Sequence, residues 1–169
     1  MKIDFQKLGI IIAYLASNVE DLYVTKLLKL LYYIDFISYK EKESSITKDT
    51  YYKLPYGPVP TVTKNEIDAI CNTTMGEDLK SQLSNFIYLE SDENDFGKIV
   101  KNKKEKINLN KISKDEKKII DFVIKNLGNK TATELSEKTH QEAPWKLSSE
   151  NSVISYELAR ELELDDFAS

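Results

Sequence analysis

One cysteine, one histidine and one tryptophan are all that this 169-residue chain holds of those three types. Cys71 alone cannot close an internal disulfide, and Cys71 with His140 cannot assemble a Cys/His zinc site within one chain. A free cysteine usually sits as a small, semi-buried residue, which is the expectation for Cys71. No Gly-rich phosphate loop, no metal-ligand cluster and no serine, histidine and acid constellation at a familiar spacing is found. With 28 carboxylates, acidic pairs alone carry no information. Catalytic residues, cofactors and metals are therefore assigned to none, and the chain is expected not to be an enzyme. Positive charge is not in excess either. The 24 basic residues against 28 acidic ones leave a net charge of -4, so the electrostatic attraction that dominates nonspecific nucleic-acid binding is absent overall. Nucleic acid is the weaker candidate partner. Long apolar runs are missing too: Leu8 to Ala16 falls well short of the roughly 20 residues that span a bilayer. Asp4 stands where a signal peptide wants positive charge, and Asn18, Glu20 and Asp21 follow without a cleavage site, so a core helix explains the stretch better. The expected address is the reducing cytoplasm, with no membrane partner.

What is present suffices for a core: 41% of the residues are hydrophobic, and the length suits one domain over 1–169. Phe5, Leu8, Ile11, Ile12, Leu15 and Val19 recur at spacings of three and four, which predicts a helix from about Phe5 to Ser17. Leu27, Leu30, Leu31, Ile34 and Ile37 form a second stripe, broadened by Tyr23, Leu28, Tyr32, Tyr33 and Phe36. A helix apolar on most of its surface should be central. Asp35 interrupts it, and a buried carboxylate there must find donors, most simply a nearby backbone amide or a tyrosine hydroxyl.

Beyond the turn-like Ser44 to Asp49, Thr50 to Leu54 is aromatic and β-prone. Pro55, Gly57, Pro58 and Pro60 then restrict the backbone at almost every step, which predicts a loop of set shape, with Pro58 or Pro60 opening a helix that carries Val62, Ile67 and Ile70. Gly76 to Phe86 reads as a weaker helix. Ile87 to Leu109 reads as a small meander: a strand at 87–89, an acidic turn, a strand at 96–100, a basic turn at 101–106 and a strand at 107–109. The lysine cluster in the basic turn is expected to be a solvated loop tip.

The last third carries clean helix starts. Ser113 with Glu116, and Thr131 with Glu134, match the capping box, which predicts helices over Lys114 to Leu127 and Ala132 to Thr139. The pair has the outline of a helix-turn-helix, yet its second helix offers Glu134, Glu137 and Lys138 in place of a basic reading face. His140 to Trp145 reads as a helix-ending elbow pinned by the imidazole, and Ser155 to Leu164 as a final helix with an acidic end at Asp165 and Asp166. The fold class expected is mainly α (α+β): a single-domain bundle of about six to eight helices with a small antiparallel β element.

Three stretches in this order, Lys26 to Phe36, Ile46 to Pro60 and Leu135 to Trp145, resemble the helix, the Y-G-P block and the T-H-x-E-x-x-W block of the SocA-like (Panacea) antitoxin family. The resemblance covers roughly Leu8 to Leu147, and Lys48 stands where many relatives carry glycine. It implies a mostly helical domain with a small β element that neutralises a protein toxin, usually encoded by the adjacent gene, through direct binding. Some relatives are instead thought to deliver the toxin to a protease. Asp35, Asp49, Gly57, Pro58 and His140 are then the motif positions expected to hold the structure. Tyr51, Tyr56 and Trp145, with Tyr32 and Tyr33 next, are the candidate partner-binding anchors, because large rigid rings bury area at small entropic cost, although core packing competes for each. The net negative charge would steer a basic toxin toward the chain. A DNA-binding regulator of the toxin operon and a proteolytic adaptor are the alternatives, an enzyme using His140 is a third reading, and a second copy of the chain is a further candidate partner.

Overall fold

Every position from Lys26 to Ser38 is buried, so one helix, α2 (Val24–Lys42), runs through the middle of the protein. Its stripe of leucines, isoleucines and aromatics is apolar nearly all round, and a helix of that kind has no face to offer to water. Each large side chain it buries contributes about 1.5–3 kcal/mol. The computed structural model describes residues 2–72 and 80–164.

Ahead of it lies α1 (Phe5–Asn18), capped by the Asp4 side chain accepting from the Lys7 amide. Behind it come the strands β1 (Tyr51–Leu54) and β2 (Gly57–Pro60), then α3 (Thr61–Cys71). A second antiparallel pair, β3 (Ile87–Ser91) and β4 (Lys98–Asn102), packs β4 against α1. The chain then continues through α4 (Lys114–Leu127), α5 (Ala132–His140), the short α6 (Ala143–Lys146) and a 3-10 helix (Tyr156–Glu161). Both capping boxes form, Ser113 with Glu116 and Thr131 with Glu134. The hydrophobic core is one connected cluster centred on α2, and the class is mainly α with two small antiparallel sheets.

Several expectations need correction. Gly57 to Pro60 is a strand rather than a loop, because β1 offers it a partner in register, Tyr52 opposite Val59 and Leu54 opposite Gly57, with Pro55 and Tyr56 as the two-residue turn. The helix then begins one residue after Pro60, which stands at its N-cap. The third strand at 107–109 does not form; that segment makes no ladder. The helix expected from Gly76 to Phe86 lies partly outside the described residues, and its described part, 80–86, is not helical, with turn over 82–86. The last helix is a 3-10 helix of six residues, and Asp165 and Asp166 lie outside the described residues. Cys71, at the end of α3, is exposed rather than semi-buried.

Candidate interaction site at the hairpin and the elbow

The three motif stretches are far apart in sequence and meet around one hairpin. Asp35 of α2 is fully buried and accepts from the amides of Ile46 (2.8 Å) and Thr47 (2.7 Å), from the Thr47 hydroxyl, and from the Tyr51 hydroxyl at 2.6 Å. Burial pushes its carboxyl up to about 6, against the pull of those four donors. The central helix is thereby bonded to the approach to β1.

Asp49 does the same for the exit from β2. Its Oδ1 accepts from the amides of Thr50 (2.7 Å) and Val62 (3.0 Å), and its Oδ2 from the Thr63 amide (2.8 Å) and hydroxyl (2.6 Å). Pro60 has no side-chain acceptor, so the free amides at the start of α3 are capped by a carboxylate that comes from the other end of the hairpin.

The inner face of the hairpin rests on α2 and α5. The Lys29 ammonium donates to the Pro58 carbonyl at 2.9 Å, and burial without an acidic partner brings it down to about 8. Gly57 has φ +112, and a Cβ there would lie 2.7 Å from Thr139 Oγ1 and 2.8 Å from Lys29 Cε. Glycine is required twice over, by backbone conformation and by contact. The Ser136 hydroxyl of α5 donates to the Tyr56 carbonyl, so the turn itself is tied down.

At the elbow between α5 and α6, Glu142 accepts from the Tyr33 hydroxyl at 2.9 Å and lies 3.7 Å from the Lys138 ammonium. Burial pushes its carboxyl up to about 7, against those two partners. Trp145 donates from Nε1 to the Leu54 carbonyl at 3.3 Å, and the Lys53 ammonium sits 4.0 Å over its ring while donating to the Ser148 carbonyl and pairing with Glu150. His140 ends α5 with its ring 4.1 Å from that of Trp145; its buried Nε2 has no hydrogen-bond partner among the described residues. The imidazole therefore pins the elbow through its ring contact.

Of the proposed anchors, Tyr32, Tyr33 and Tyr51 are withdrawn from any partner, with 0%, 0% and 1% of their surface exposed. They belong to an aromatic cluster with Phe36 and Tyr156, and the edge contacts of Tyr32 with Tyr33 (4.9 Å) and Tyr51 (6.0 Å) explain why α2 is aromatic at those positions. Trp145 is half-buried beneath the hairpin, and Tyr56 stands 78% exposed at its tip. Sequence reasoning missed Lys29, Lys53 and Glu142. Lys29 was visible as a charge amid Leu27, Leu28, Leu30 and Leu31, and Glu142 as the acid of the T-H-x-E-x-x-W block, whereas nothing local distinguishes Lys53. On α5, Glu134 and Glu137 are exposed and Lys138 is taken up by Glu142, so the helix carries no basic reading face. Among the described residues, no group of three histidine, cysteine or acidic side chains is arranged for a metal, and no helix is long and apolar enough to cross a membrane.

Comparison with known families matches residues 27–146, well over half of the chain, to the family described as antitoxin SocA-like, Panacea domain. No curated protein and no solved structure matches.

Proposed function

Starting from a chain that belongs to the SocA-like antitoxin family, Panacea domain, we propose that it is a cytoplasmic antitoxin that neutralises a cognate protein toxin by binding it directly, with no catalysis of its own. The supporting observation is the way Tyr56 is presented. Its ring is 78% exposed, yet it sits on a two-residue turn anchored to α2 through Lys29 and to α5 through Ser136. A large ring carried on a fixed backbone has only its own two torsions to lose on being covered, which is the profile of an interface anchor. The toxin is expected from the adjacent gene, and a stable complex should bury about 1,200–2,000 Å² in total.

The test is co-expression of the full chain with the product of the adjacent gene from separately inducible promoters, scoring growth and then isolating the complex. Growth arrest by the neighbour, relieved by this chain together with co-purification, is the expected result. A harmless neighbour, or relief of arrest without any complex, overturns direct neutralisation. Relief accompanied by loss of the neighbour's protein, and abolished in a host lacking its cytosolic proteases, points to the adaptor mechanism instead.

A further inference from the structure

An antiparallel pair with one wet face ordinarily turns apolar side chains inward and polar ones outward, and the β1–β2 hairpin departs from this on its outward side. Its inward positions are Tyr51, Lys53, Pro58 and Pro60, all buried, one of them a lysine. Its other positions are Tyr52, Leu54 and Val59, all apolar and half-buried, and Gly57, which is buried. Val59 leans on the hydrophobic core, while Tyr52 and Leu54 are not among the described side chains packed on it. A third strand-like segment extends the same face. Lys53 donates its amide to Ser152 and accepts from Asn151, Ile154 donates to Tyr51, and Val153 stands opposite Tyr52 with 51% of its surface exposed. With Tyr56 at the tip, the outward side of the hairpin is an apolar patch.

The edges of this small sheet do not invite an added strand. β1 is paired on both sides, and the free side of β2 carries Pro58 and Pro60, which have no N–H to donate. A partner must therefore lie on the face. Two exposed carboxylates stand beside that face: Glu150, in the loop leading to Asn151, which pairs with Lys53 at 3.2 Å, and Glu137, next to the Ser136 that holds the turn. Glu137 makes no ion pair among the described residues, and the chain as a whole carries -4. An apolar centre inside a charged rim is the usual anatomy of a protein interface.

We infer that this outward face is where the toxin docks, and that it receives a segment of the toxin in which an apolar side chain is flanked by lysine or arginine. The inference rests on the antitoxin reading and adds the surface and the chemistry of the partner. The apolar side chain covers Tyr52, Val153 and Tyr56, and the flanking cations reach Glu137 and Glu150, which steers encounter and excludes acidic competitors.

The experiment uses the full chain and the adjacent-gene product as the probe, with affinity measured by titration at two salt concentrations and folding of each variant checked by thermal melting. Tyr56→Asp and Val153→Asp are expected to weaken binding roughly tenfold or more, and Glu137→Lys to slow association and flatten its salt dependence. Phe96→Asp is the control, since Phe96 is 78% exposed on the turn of the other hairpin, and it should bind as the wild type does. Wild-type affinity in Tyr56→Asp and Val153→Asp overturns the docking face while leaving the antitoxin reading intact. Failure of the unmodified chain to bind the probe overturns the antitoxin reading, and the docking face falls with it. A dimer of the chain alone, disrupted by the same two substitutions, would make a second copy the occupant and overturns the toxin assignment.

Discussion

Asp49 takes both the amide and the hydroxyl of Thr63, at 2.8 and 2.6 Å, across fourteen positions of sequence. Thr63 lies in the first turn of α3, so the relationship is a helix cap supplied from before the hairpin, and it closes the hairpin into a loop whose two ends cannot separate. Asp49→Ala leaves the amides of Thr50, Val62 and Thr63 without this acceptor in a buried setting. It is expected to cost about 2–4 kcal/mol, more than an exposed cap, whereas Asp49→Asn keeps one oxygen and should cost less. Urea unfolding of the two variants checks the order.

Two backbone positions, one just before this closed loop and one within it, predict opposite signs. Lys48 has φ 65, where a side chain is strained. Lys48→Gly should stabilise the protein by about 0.5–1 kcal/mol, the relief exceeding the entropy that glycine returns to the unfolded chain. Gly57→Ala has φ +112 to contend with, besides the close approach of Thr139 and Lys29. A loss of about 2 kcal/mol or more is expected. Denaturation midpoints moving the same way for both would contradict this account.

The neighbouring tyrosines Tyr32 and Tyr33 should respond differently to losing a hydroxyl. Tyr33 donates to Glu142, so Tyr33→Phe removes a donor from a shielded carboxylate and should cost about 1–3 kcal/mol. The Tyr32 hydroxyl lies toward Glu142 without reaching hydrogen-bond geometry, and is buried without a partner among the described residues. Tyr32→Phe should therefore be neutral, or stabilising by up to about 1 kcal/mol. Equal losses in thermal melting would mean that both hydroxyls are bonded in solution.

Glu142 makes stability depend on pH near neutrality. Burial raises its carboxyl from 4.5 to about 7, so the folded protein holds this proton more tightly than the unfolded chain does. The associated stability is complete below about pH 4.5 and is lost as pH rises through 7, on the order of 3 kcal/mol in all. Asp35, raised to about 6, adds a component of the same sign at lower pH. Glu142→Gln keeps an acceptor for Tyr33 and removes the proton. Between pH 6.5 and 8 the wild type should lose stability while Glu142→Gln stays nearly level; parallel curves for the two proteins would rule out Glu142 as the group responsible.

The elements legible in the sequence were those whose information is local. The helix over Lys114–Leu127 and the start of α5 were readable because a capping box is complete within four residues, and α1 because its stripe repeats every three or four. The order of the three motif stretches was readable as well, and with it the family. Gly57 to Pro60 was misread because glycine and proline normally punctuate a chain; only the partner strand, an interaction between separate segments, makes those residues a strand.

The sequence by itself thus determined where α1, α4 and α5 begin, that α2 is central, that Asp35 would need donors, and to which family the chain belongs. The tertiary structure alone decided which rings water can reach: Tyr32, Tyr33 and Tyr51 disappear into the core while Tyr56 is left standing out. It also decided that Lys53 turns inward onto Trp145 while Tyr52 and Leu54 turn outward. The physical reason is that periodicity records which side chains share a face of one element, whereas exposure depends on what other elements bring against that face, and those contacts come from residues about a hundred positions away.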